Sequence, residues 1–78
     1  MSRLPAISGR EAIQALQRIG FEVARISGSH HILKKPGHPN VVTVPVHGNK
    51  TLKRGTLHKI IRSAGCKDID EFVRALQG

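Results

Sequence analysis

The sequence predicts an α+β fold, a three-stranded antiparallel sheet with helices on one face. Three observations carry the prediction: apolar residues at helical spacing near the start, three short β-rich runs separated by turn formers, and two further helical patterns at the end. Seventy-eight residues make one domain at most, taken here as spanning 1–78. A chain this short buries about 60–65% of its unfolded surface, so its core is small. Its function is therefore expected at a surface or a shallow groove.

Ser8-Gly9-Arg10-Glu11 has the pattern of a capping box, a Ser accepting from the amide three residues on while the Glu reaches back. Ala12, Ile13, Leu16 and Ile19 follow at helical spacing, and Gly20 suits a left-handed stop, which predicts a first helix over about 9–19. Phe21 to Ser27 reads as a strand, with Phe21 and Val23 on one face. Gly28-Ser29 reads as a tight turn, and His30 to Lys35 as the second strand. The turn formers of 36–40 close a hairpin, and Val41 to Val46 reads as the third strand, at an edge or ending where Pro45 removes an amide. His30, Ile32 and Lys34 share one side of the second strand, His31, Leu33 and Lys35 the other. Each side holds one aliphatic residue, so alternation does not decide which face His30 takes.

His47 to Leu52 is a polar loop. A second helix is expected from about Lys53 to Ala64, burying Leu57, Ile60, Ile61 and Ala64 and turning His58, Lys59 and Arg62 outward. Asp68-Ile69-Asp70-Glu71 has the pattern of a second capping box opening a short last helix with Ile69, Phe72, Val73 and Leu76 inward. The first five elements, α-β-β-β-α, follow the order of double-stranded-RNA-binding domains, with one short helix added.

Charge narrows the function. Thirteen basic and five acidic residues give a net charge of +8, and no acid lies between Glu22 and Asp68. That interval holds Arg25, Lys34, Lys35, Lys50, Lys53, Arg54, Lys59, Arg62, Lys67 and every histidine, an electrostatic footprint for a polyanion. With no Trp or Tyr to anchor at a lipid interface, nucleic acid or an acidic protein is the better partner than a membrane. Pro5, Ser8, Gly9, Arg10 and Glu11 break up the stretch an export signal would need, and Cys66 is a lone cysteine with no disulfide partner, so a reducing cytosol is expected.

The central segment has no carboxylates to hold catalytic ions, and the histidines lack zinc-site spacing, so no metal or other cofactor is expected. A phosphodiesterase built this way favours RNA, whose 2′-hydroxyl is an internal nucleophile. Histidine is the natural proton carrier near neutral pH, and Lys and Arg supply the charge that steadies the phosphate. Gly28-Ser29-His30-His31 places an open turn, a hydroxyl and an imidazole at the rigid start of a strand. Taken alone, a histidine pair at a strand edge is usually polar surface.

The ordered set Gly20-Phe21, Arg25, Gly28-Ser29-His30, Val44-Pro45-Val46-His47, Gly55-Thr56-Leu57, Ile60-Ile61, Gly65 and Glu71-Phe72 resembles the HicA family of toxins from about Ser8 to Leu76. The resemblance implies a double-stranded-RNA-binding-like fold and an endoribonuclease acting on messenger RNA. It also implies neutralisation by an antitoxin, HicB; the positive face invites such an inhibitor to contribute carboxylates and cover His30. It places the catalytic histidine of the family's Gly-Ser-His motif at His30 and matches His47 to a Val-Pro-x-His segment, a possible secondary role. Gly28, Ser29, Arg25, Lys50, Lys53 and Lys59 are the expected RNA- and phosphate-binding residues. At position 58, where the family leads one to expect a basic residue, this chain has His58. The other reading is a non-catalytic double-stranded-RNA-binding module, which keeps the charge argument and drops the His30 chemistry. A third is a protein-interaction domain whose basic face meets an acidic partner.

Overall fold

The computed structural model describes residues 4–78. Its elements run α1 (Gly9–Arg18), β1 (Glu22–Ser27), β2 (His30–Lys34), β3 (Val42–Pro45), α2 (Arg54–Ser63) and α3 (Ile69–Gln77). The strands form one antiparallel sheet in the order β1-β2-β3. This is the predicted α+β architecture, with each element within a residue or two of its expected bounds.

The capping box is present in α1. The Ser8 hydroxyl accepts from the Glu11 amide at 3.3 Å, and the Glu11 carboxylate accepts from the Ser8 amide at 3.0 Å. The expected second box forms differently. Asp68 accepts from the Glu71 amide at 2.9 Å, but the Glu71 carboxylate turns to the amide of Lys67, at 2.8 Å, and leaves that of Asp68. Lys67 precedes the cap, and its amide is the more reachable free donor once the chain bends into α3.

Ala12, Ala15 and Leu16 of α1, Leu57 and Ile60 of α2 and Phe72 of α3 bury their stripes against Leu33, Val42, Val44 and Phe21, each 2% exposed or less. Of the four residues expected inward on α3, only Phe72 is fully buried, and Ala75 replaces the others as its second buried position. Here α3 lies on α1, and Arg18 clamps the pair by donating from Nη1 to the carbonyls of Ala75 and Leu76, both at 2.8 Å. Those carbonyls lie in the last turn of a helix, where a cation is favoured. Gly9 begins α1 where a Cβ would collide with the carbonyl of Pro45, so glycine lets the helix start directly against the end of β3.

Register decides what alternation left open. His31 pairs with Val44 and Leu33 with Val42, which puts His31 on the helix-covered face. His30 pairs with Ser27 on one side and Pro45 on the other, on the open face of the sheet. A bulge at Ala24 matters equally. Val23 pairs with Leu33 but Arg25 with Ile32, so strict alternation breaks and Arg25 emerges on the open face with His30. Ile26, opposite His31, is thereby sent to the helix side, beyond the helices, and stays 59% exposed.

Candidate nucleic-acid interface

His30 owes its position to the β1–β2 hairpin. Gly28 has φ +59°, and no non-glycine residue in the described chain has positive φ, so only the first loop position is left-handed. That is the pattern of a two-residue type II′ turn, whose twist matches the flanking strands. The turn is locked from β3, because the Val46 amide donates to the Ser29 carbonyl at 2.7 Å, one step beyond the last strand pair. Ser29 is half-buried, and His30 is exposed. Arg25 and His30 are diagonal neighbours on this face, across the Ser27–His30 and Arg25–Ile32 pairs, a separation of about 7–8 Å that long side chains span.

On the other flank, Pro45 leads into an open cleft of about 400 Å³ lined by His47, Lys50, Thr51, Lys53 and Thr56, with Leu52 as its apolar part. The loop that builds it is held at several points. Lys50 donates its amide to His47 at 3.0 Å, Leu52 donates to Ile7 at 2.8 Å, and Thr51 bridges to Ser8. The start of α2 opens beside this cleft. Its N-cap, Lys53, makes no side-chain hydrogen bond, and the first turn carries no acid. Free amides, a positive helix end and two lysines make an environment for anions.

The structure thus brings Arg25, Ser27 and His30 together on the sheet and His47, Lys50 and Lys53 together in the loop cleft, with Pro45, the cross-strand partner of His30, common to both. Lys59 is exposed one turn along α2 from Thr56, outside the cleft lining. Sequence reading missed Thr51 and Thr56, whose relevance appears only when the loop folds onto the start of α2. It also left out His31, Arg10 and Gln14, which share a second cleft on the helix side of the sheet with Ile13 and Val46.

Two other groups belong to the frame. His38 closes the β2–β3 hairpin onto α2. Its Nε2 lies 2.7 Å from the Ser63 carbonyl and so donates to it, and its ring meets Phe21 edge-on at 5.3 Å. Burial pushes the Cys66 thiol above its ordinary range, Glu71 and Asp68 add to the rise, and Lys35 opposes it.

A family model described as the HicA toxin of bacterial toxin–antitoxin systems matches residues 9–66, three quarters of the chain. The chain belongs to the HicA toxin family. The matched span runs from the first residue of α1 to the turn after α2, and so contains the whole sheet, the hairpin bearing His30 and the loop cleft. A HicA toxin is one half of a pair, so an antitoxin partner comes with the assignment. No curated protein matches the chain. No helix among the described residues is long and apolar enough to cross a membrane.

Proposed function

We propose that this HicA toxin is an endoribonuclease that cuts messenger RNA without a metal ion, with His30 as its catalytic residue. The observation that carries the reading is the placement of His30: exposed, at the start of a strand, on the open face of the sheet, with Arg25 diagonally across and Pro45 leading to the loop cleft. RNA lying over this end of the molecule presents a phosphate to Arg25, Ser29, Lys50 and Lys53, with Lys59 further along. His30 assists proton transfer while the 2′-oxygen bonds to phosphorus and the bond from phosphorus to the 5′-oxygen breaks. The products are a 2′,3′-cyclic phosphate and a 5′-hydroxyl, the 2′ proton leaving to a base and the departing 5′-oxygen gaining one. His47, in the adjoining cleft, is the candidate for the second of these transfers.

A HicB-type antitoxin would silence the enzyme by covering the His30 face, and the lack of acidic residues between Glu22 and Asp68 suits a partner that contributes carboxylates.

End-labelled RNA is incubated with the chain in EDTA, beside His30→Ala checked for folding by circular dichroism. Cleavage by the wild type, reduced about 10²–10⁴-fold in the variant, is the expected result. Equal RNA binding by both with cleavage by neither overturns it and leaves a non-catalytic double-stranded-RNA-binding module. Plain 3′-hydroxyl ends would rule out attack by the 2′-oxygen.

A further inference from the structure

His31 is not used by the chemistry assigned to His30. Adjacent residues of a strand point to opposite faces, so the two imidazoles are separated by the thickness of the sheet and cannot act on one phosphate. His31 instead lines a cleft of about 430 Å³ between the first turns of α1 and the start of β2, together with Arg10, Ile13, Gln14 and Val46. Its Nδ1 is shielded from solvent and has no hydrogen-bond partner among the described residues. With Nδ1 shielded, the Nε2 edge is the part of the ring able to meet a ligand.

The chemistry of the lining is mixed in a specific way. Arg10 brings a planar, permanently charged donor. Gln14 brings an amide that both donates and accepts. Ile13 and Val46 are apolar. Ile26, outside the cleft lining, is the cross-strand partner of His31 on the same face and is 59% exposed. No acid lines the cleft, and Glu11, next to Arg10 in the chain, is committed to the Ser8 capping box.

We infer that this cleft is a nucleotide-binding subsite that holds a phosphate on Arg10 and the Nε2 edge of His31, with the adjoining base against Ile13, Val46 and Ile26 and its edge toward Gln14. The inference rests on the reading of the chain as an RNA-cutting enzyme and adds the substrate contact on the far side of the sheet. The Gly28-Ser29 hairpin is the rim between the two faces, so a single strand of RNA passing around it meets His30 on one side and His31 on the other. The subsite then sets which nucleotide lies a fixed distance from the cut. An acidic peptide would use Arg10 but would leave the apolar lining and the Gln14 amide without a function, which favours RNA as the occupant.

The test uses the whole chain and a short, fluorescent, fully 2′-O-methylated RNA that cannot be cleaved by attack of the 2′-oxygen. Arg10→Gln and Ile26→Ser change exposed side chains, so folding is retained, and melting curves confirm it; His31→Gln is the third variant. Arg10→Gln is expected to weaken binding about tenfold, as loss of a charge-assisted hydrogen bond does. Ile26→Ser is expected to weaken it a few-fold, while Gln77→Ala, at an exposed position of α3, binds as the wild type does. On cleavable RNA, Arg10→Gln should raise KM more than it lowers kcat. Wild-type affinity in both exposed variants overturns the subsite, whether or not the wild type cleaves. If no protein cleaves but the affinity losses appear, the subsite stands and the catalytic reading fails. Loss of affinity for a polyglutamate peptide, with RNA binding unchanged, overturns the inference and gives this face to a protein.

Discussion

Gly28 holds φ +59° at the first corner of the β1–β2 hairpin, and a Cβ built there meets nothing within 4 Å. The cost of Gly28→Ala is therefore backbone strain alone, about 1–2 kcal/mol, measurable as a lowered denaturation midpoint with an unchanged slope. If the variant matches wild-type stability, the left-handed turn is not what positions His30. Cys66 gives a second prediction at this scale. Its raised pKa keeps the sulfur as the unreactive thiol at neutral pH, and only the thiolate attacks alkylating agents. Iodoacetamide at neutral pH should modify the folded chain more slowly than the urea-unfolded chain, and the folded rate should climb only as the solution is made more alkaline. Equal rates would show that the half-buried site is open. His38, by contrast, has a supporting part. Its hydrogen bond to Ser63 and its edge against Phe21 tie a loop to a helix end, and His38→Ala is expected to cost about 1–2 kcal/mol, read by thermal or urea unfolding, while leaving RNA cleavage at folded concentrations intact.

At the scale of an element, β1 contains the device that joins two site residues. With Ala24 paired instead of bulged, Arg25 would follow Val23 onto the covered face. Deleting Ala24 should remove the bulge while Arg25 stays opposite Ile32 on the open face, so RNA binding should be kept, whereas Arg25→Ala should weaken it; wild-type affinity in Arg25→Ala would mean that Arg25 is not a phosphate contact. This feature also shows where sequence reading stops. The α1 capping box was legible because every partner lies within three residues. So were the helices, whose stripes repeat locally, and the turns, which rest on Gly and Pro. The second box was misread in detail because two amides compete for Glu71, and only the bend before α3 decides between them. The face of His30 was illegible from β2 alone, since its two sides carry equal apolar content; pairing with Ser27 and Pro45 settles it. The bulge has no local signature, because Ala24 is an ordinary strand residue. The second cleft joins α1 to β2 and β3 across long stretches of sequence, which no periodicity reports.

Across the whole molecule, the charges are sorted by element. Asp68, Asp70 and Glu71 lie at the start of α3, which packs on α1, and Glu11, Asp68 and Glu71 all accept from backbone amides. Arg18 is likewise committed, to the carbonyls that end α3. The cations left for a polyanion are those of the open sheet face, the loop cleft and the outer side of α2, with Arg10 on α1 in the second cleft. If Arg25, Lys50, Lys53, Lys59 and Arg10 each neutralise one phosphate of a single strand, the logarithm of the binding constant should fall against the logarithm of salt concentration with a slope of about −3.5. Lys53→Ala should make that slope shallower by about 0.7 and weaken binding to all sequences alike, since a phosphate contact carries no base information. His30→Ala should leave the slope where it was, because its effect belongs to proton transfer and not to ion release. A slope near zero would show that RNA is held by the apolar parts of the surface, and that the net charge of +8 serves another partner.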